Sequence, residues 1–280
     1  MSRPRPSRAV GGLIGLSPRR KILVAGVGLL VAAVAVVSAV AIVAAVGGRA
    51  ARAGPSGFPP QDRPGPVLLV PGYGGQTGSL SVLAARIRSD GRAATVVRMP
   101  GNGTGNLNAD AAALNGAVNR ALNGGAPSVD VIGYSAGGVV VLLWAREDDG
   151  ATKARRVITL GSPFHGASIA AGAEGFVPGA CPVACQQLIP GSRLLAGLDA
   201  TPVPARPPWL SLWTTDDQVV TPPGSARLPG AINVPVQSLC PNARISHGQL
   251  PTNPVVTAIV LQAIGSGPFR SPTAADCVSS

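Results

Sequence analysis

The sequence predicts an α/β protein, a mostly parallel sheet flanked by helices on both faces and preceded by one N-terminal transmembrane helix. Three observations carry that expectation. From Pro66 onward short apolar runs alternate with stretches of helical period; 46% of the 280 residues are apolar but only 3% aromatic; and one apolar block of 25 residues stands near the start. Strands buried on both faces read as unbroken apolar runs, and the helical stretches between them supply the crossovers that parallel neighbours need. The 37 glycines and 28 prolines mark a turn-rich fold around a core of Val, Leu, Ile and Ala.

Residues 67–70 form the first strand. Leu80, Leu83, Ala84 and Ile87 recur at helical spacing, and 94–99 reads as a second strand before the Gly-rich loop 101–105. A helix over 109–122 follows, with Asn108 as its cap. Residues 129–133, 157–160 and 210–213 are further strands, 136–146 and 254–264 are helices, and 232–236 is a candidate sixth strand. The loop Gly101-Asn102-Gly103-Thr104-Gly105 lacks the Lys-Ser/Thr of a phosphate-binding loop and the spacing of a dinucleotide fingerprint, so it reads as surface loop.

The formal charge of +11 is concentrated at one end. Eight of the 23 basic residues precede position 54 and no acid does, which leaves 15 bases against 12 acids in the remainder. No Lys/Arg run there is long enough to follow a phosphate backbone, and no nucleic-acid partner is expected. Residues 1–21 form a basic cytoplasmic tail with Arg3, Arg5, Arg8, Arg19, Arg20 and Lys21. Residues 22–46 have Ser38 as their only polar side chain; as a helix they span about 37 Å, enough for a hydrocarbon core of about 30 Å. This is the expected signal anchor, oriented with the tail inward; the alternative is a cleaved signal, since Ala51-Arg52-Ala53 has the small-x-small pattern. Residues 47–65 are a Gly/Pro-rich linker, and 66–280 are the exported domain, at the cell membrane or secreted if the segment is cleaved. Four cysteines without a Cys-x-x-Cys favour two disulfides in such a compartment. Of the three possible pairings, Cys181 with Cys185 and Cys240 with Cys277 closes one local loop and pins the C-terminus.

Gly133-Tyr134-Ser135-Ala136-Gly137 stands between an apolar strand and an apolar helix, the context of a nucleophile elbow. Small residues on both sides let the chain turn sharply, so the Ser135 hydroxyl stands clear of the sheet and the Ala136 N–H faces a developing oxyanion. A serine needs a base, and only His165 and His247 are available. In this arrangement the order is nucleophile, acid, histidine, which selects His247, 112 residues after Ser135. His165 follows the next strand with no acid ahead of it, and packs within its loop. For the acid, counting back from Val219-Val220 in the loop after 210–213 selects Asp217, with Asp216 a solvated neighbour. The loop Val70-Pro71-Gly72-Tyr73-Gly74-Gly75 is either a plain turn or the source of the second oxyanion donor, the Tyr73 N–H.

These motifs resemble those of the bacterial secreted lipases and esterases of the α/β-hydrolase superfamily, especially the small class 2 lipase group. The resemblance runs from Pro66 to about Gln262 and includes 70–75, 133–138, Thr159-Leu160-Gly161-Ser162-Pro163 with His165-Gly166, 217–222 and Ser246-His247-Gly248. Two departures stand out. Many relatives have His-Gly at Pro71-Gly72 and His-His at Phe164-His165. The resemblance implies a serine carboxylic-ester hydrolase acting on lipid or other apolar esters through an acyl-enzyme, with no metal or organic cofactor and no obligate protein partner. The alternatives are an acyltransferase with the same triad and a catalytically silent, membrane-tethered binding domain. Residues 167–207 form a long insertion with only four charged side chains. Leu188, Leu194, Leu195 and Leu198 share an apolar face in it, and Leu195 and Leu198 are the expected acyl-binding wall; the alternative is a packed surface loop held by Cys181 and Cys185.

Overall fold

A computed structural model describes residues 57–170, 172, 181–199 and 201–277, together with Arg19. The chain divides into the units Met1–Ser56 and Gly57–Ser280, and the sheet with its helices belongs to the second. The expected membrane segment 22–46 lies outside the described residues. Among the described residues no helix is long and apolar enough to cross a membrane.

Six strands, β1 (Val67–Val70), β2 (Ala94–Val96), β3 (Val129–Tyr134), β4 (Ala154–Leu160), β5 (Trp209–Trp213) and β6 (Ile232–Pro235), make one sheet in the order β2-β1-β3-β4-β5-β6. Every pairing is parallel. The helices are α1 (Gly78–Ser89), α2 (Leu107–Asn123), α3 (Ala136–Glu147), α4 (Gly150–Lys153), α5 (Val183–Gln187), α6 (Arg193–Asp199), α7 (Val236–Leu239) and α8 (Pro254–Ile264). From β1 the chain steps outward to β2, then crosses back over β1 to β3 and continues away from it. That reversal leaves a crevice at the carboxyl ends of β1 and β3, the usual place for a ligand in an open parallel sheet.

The mostly apolar strands follow from the two covered faces, with Asp130 in β3 and Arg155 and Arg156 in β4 as charged exceptions. Leu68, Val70, Val131 and Val157 pack with α2 and α3, whereas Val67, Leu69, Ile132, Ile158 and Leu210 pack with α1 and α8. Successive side chains on a strand point to opposite faces, so both parities must be apolar. Each fully buried Val, Leu or Ile contributes about 1.5–3 kcal/mol.

Three details differ from expectation. β2 stops at Val96 because its partner β1 is only four residues long, and Leu69 opposite Val96 is the last matched pair. The cap of α2 is Asn106, not Asn108: Asn106 is extended, and its Oδ1 accepts the Asn108 N–H at 2.9 Å. β4 begins at Ala154 and takes in Arg155 and Arg156, which are 0% and 1% exposed. These arginines belong in the sheet because their charges are met there. Arg155 Nε donates to Asp130 Oδ1 at 2.9 Å, Arg92 donates to Asp130 Oδ2 at 2.7 Å, and Arg156 donates to the Ala263 and Gly265 carbonyls at 2.8 Å each. The carbonyls at the end of α8 are the negative pole of that helix, which favours the guanidinium groups.

Candidate active site

β3 delivers Ser135 to the crevice. Ser135 has φ 53° and ψ −129°, a region costly for a residue with a Cβ. Hydrogen bonds on both sides hold it there: the Ser135 N–H donates to the Leu160 carbonyl at 2.8 Å, and the Gly138 N–H donates to the Ser135 carbonyl at 2.9 Å. At Gly133 a Cβ would sit 2.6 Å from the Gly138 Cα, so strand and helix meet this closely only with glycine. Behind the turn, every residue of α3 from Ala136 to Trp144 is buried.

The loop after β5 carries Asp217. Its Oδ1 accepts the Val219 and Val220 N–H groups at 2.9 and 2.8 Å, and its Oδ2 lies 2.7 Å from His247 Nδ1. Both side chains are buried. A carboxylate only accepts, so Nδ1–H donates to Asp217 and Nε2 is the nitrogen that the acid does not engage. His247 opens a 3₁₀ turn, His247–Gln249, which Ser246 and Gln249 cap reciprocally. Tyr134, adjacent to Ser135, lies against the imidazole with ring centroids 5.1 Å apart, and its hydroxyl donates to the His247 carbonyl at 3.3 Å. Burial and, secondly, the charge of Asp217 push the Tyr134 phenol up to about 12, so that hydroxyl keeps its proton. Among the described residues no hydrogen bond joins Ser135 Oγ to His247, and Nε2 has no protein partner there.

The other candidates are differently placed. His165 has Nε2 3.0 Å from Asp199 Oδ1 and Nδ1 3.1 Å from the Ser225 carbonyl, which occupies both ring nitrogens. Asp216 faces Arg244 at 4.0 Å.

Tyr73, Ser135 and Ala136 line one cavity of about 310 Å³. The Tyr73 and Ala136 N–H groups have no acceptor among the described residues. The loop after β1 lies close against the serine: a Cβ on Gly72 would be 2.9 Å from the Ser135 Cβ. The rest of the lining is largely apolar, from Pro163, Ala167, Ile169, Leu188, Val219 and Val220 together with Cys181 and Cys185. Leu195 and Leu198 are not brought to this cavity. Both are buried in the core on the α2 and α3 side, and Leu198 lines a separate cavity with Leu143, Arg146 and Gln186. α6 presents its leucines to the core, while Leu188 lines the Ser135 cavity. Cys181 is bonded to Cys185 and Cys240 to Cys277, with Cα atoms 5.4 and 5.5 Å apart. Among the described residues no group of three or more His, Cys, Asp or Glu side chains is placed to hold a metal.

Ile169 and the Tyr134 ring were not singled out from sequence. The only signal was proximity: Tyr134 sits inside the elbow motif, and Ile169 follows the His165 loop.

No family model matches the chain, and no curated protein does. Solved structures do match. Lipase B of Aspergillus fumigatus superposes with a TM-score of 0.60 at 18% identity, covering 78% of this chain and 56% of that one. Mature lipase BlEst2 of Bacillus licheniformis superposes with a TM-score of 0.61 at 17% identity, covering 75% of this chain and 96% of that one. The chain thus spans little more than half the length of the fungal protein. What the two likenesses share with this molecule is its architecture, the α/β-hydrolase fold.

Proposed function

We propose that this chain is a serine carboxylic-ester hydrolase of the lipase/esterase type, acting outside the cytoplasm on apolar esters. The observation that carries the reading is the convergence at one cavity of a strained Ser135 and two N–H groups without acceptors among the described residues, at the sheet edge that also holds the buried Asp217–His247 pair. In this reading Ser135 Oγ attacks the ester carbonyl carbon while His247 Nε2 takes its proton. The Tyr73 and Ala136 N–H groups donate to the oxyanion, and Asp217 stabilises the imidazolium without taking the proton. The carbon–oxygen bond to the alcohol breaks, and the alcohol leaves with the proton from Nε2. Water, deprotonated by the same nitrogen, then attacks the acyl-enzyme and releases the acid and free Ser135.

The bacterial secreted lipases resembled in sequence, and the lipases matched in structure, support the ester class. The basic tail and the apolar block 22–46 support an anchor that leaves 66–280 outside.

One experiment addresses chemistry and location together. Membranes from cells making the full chain are given a p-nitrophenyl ester with and without an alcohol acceptor. The expected outcome is free acid in both cases, from an activity that resists salt extraction and is released by detergent. Transfer of the acyl group to the alcohol in preference to water would favour the acyltransferase, no turnover would favour a binding domain, and a soluble mature chain starting near Gly54 would mean that the segment is cleaved.

A further inference from the structure

α5 has five residues, too few for a helix to hold itself. Its restraints come from elsewhere. The Ala184 N–H donates to the Thr104 carbonyl at 3.1 Å, Gln187 Oε1 accepts the Leu107 N–H at 2.8 Å, and Gln187 Nε2 donates to Asn106 Oδ1 at 3.0 Å. Leu188 is tied across the cavity, its carbonyl accepting the Ala167 N–H at 3.0 Å. The Gly-rich loop that holds α5 also abuts the loop of Tyr73. The Gly74 N–H donates to the Gly103 carbonyl at 3.2 Å, and at Gly103, with φ 68°, a Cβ would lie 2.7 Å from the Gly75 nitrogen. One backbone segment therefore sets both the oxyanion loop and the opposite wall.

Cys181, Pro182, Cys185 and Leu188 all face the Ser135 cavity. The bond between Cys181 and Cys185 spans only four positions, against 37 for Cys240 and Cys277. Closing the shorter loop restricts the unfolded chain less than closing the longer one, so local geometry is a larger share of what the short bridge does. Cys240 and Cys277 pack on the other side of the sheet and line no part of this cavity.

We infer that the Cys181–Cys185 bridge is a specificity-determining element, which positions α5 and Leu188 as the surface against which the acyl chain of the substrate packs. The inference rests on the ester-hydrolase reading and extends it to the choice of acyl length. A methylene transferred from water to such a wall raises kcat/KM about fourfold. Loss of the wall therefore acts on long acyl chains and is nearly silent in the difference between short ones.

The test compares p-nitrophenyl octanoate with acetate on the full chain and two double variants. In Cys181→Ala/Cys185→Ala the octanoate-to-acetate ratio of kcat/KM should fall about fifteenfold, equivalent to two lost methylene contacts, whereas in Cys240→Ser/Cys277→Ser it should stay within about twofold. Ile169, on the same cavity and more than half exposed, supplies a variant that leaves the core intact. Ile169→Ser should lower the ratio as well. A parallel loss of both activities in the Cys181/Cys185 and Ile169 variants would overturn the inference while leaving the hydrolase standing. No turnover of either ester by the unmodified chain would instead overturn the hydrolase reading, and the wall with it.

Discussion

Strand β3 carries a buried carboxylate, Asp130, near its start and leads directly into a hydroxyl, Ser135, at its end, and the two edges of the sheet around them solve the same electrostatic problem differently. At the amino edge Asp130 meets Arg155 and Arg92, and with Arg156 the cluster holds three guanidinium groups to one carboxylate. Its excess positive charge is met by the Gln61, Ala263, Ile264 and Gly265 carbonyls. Even so, burial and, secondly, the charge of Arg155 push the Arg156 guanidinium down to about 10. At the carboxyl edge Asp217 meets two backbone N–H groups and one imidazole. Guanidinium groups stay charged at working pH, so the first cluster has one state and can only hold the fold together. An imidazole can take and return a proton near neutral pH, so the second pair has two states and can do chemistry. Asp110 offers a third case. It is buried in the first turn of α2, and burial alone pushes its carboxyl up to about 6, despite the helix N-terminus that favours a charge there.

The largest effect expected from this contrast falls on the carboxyl edge. Asp217→Asn should lower kcat for ester hydrolysis by about 10⁴-fold, because the imidazole then loses its orienting acceptor and takes the wrong tautomer. The melting temperature should change far less than the rate; a rate loss that merely tracks unfolding would assign Asp217 to the same class as Asp130. Next comes Asp130→Ala, which leaves buried arginines without their counter-charge and should cost about 3–5 kcal/mol in denaturant unfolding. The fraction that remains folded should keep its kcat, and a selective loss of kcat would join the two edges that are separated here.

Asp110→Asn has a smaller effect with a defined sign. Below about pH 4 both folded and unfolded states hold the proton. Between about 4 and 6 the unfolded chain releases it while the folded protein retains it, so stability falls as pH rises through that window. The Asn variant should therefore be more stable at pH 7 by on the order of 3 kcal/mol and show little gain at pH 4. An equal gain at both pH values would trace the effect to packing. The smallest change belongs to Asp216→Asn, with a rate within about twofold of the unmodified chain, since this carboxylate faces Arg244 at 4.0 Å and not the imidazole. Equal losses at positions 216 and 217 would remove the distinction between them.

The same contrast explains what was legible in the sequence. Ser135, Asp217 and His247 stand in short motifs whose residue types and order fit the proposed chemistry, and the two-face burial of β1 appears as an unbroken apolar run, whereas Asp130 interrupts the run in β3. Arg155 and Arg156 gave no such signal. The expected strand started only at 157, after the two arginines, and the distant Asp130 and the end of α8 make their burial possible. Leu195 and Leu198 show the complementary failure. Their spacing identified side chains to be buried, but periodicity carries no information about which of two neighbouring spaces a helix face will fill. Leu188, in the same stretch, lines the Ser135 cavity, and Gly166 lets the facing loop pack against Pro190.

The division between a reactive edge and a holding edge is tested most directly by fluorophosphonate labelling followed by intact-mass measurement on the full chain and on Ser135→Ala. A single adduct is expected on the unmodified chain, mapped to Ser135, and none on the variant, whose melting temperature should be unchanged because the hydroxyl stabilises no core contact. An adduct on Ser135→Ala, or an unmodified chain that takes up no label, would contradict the account.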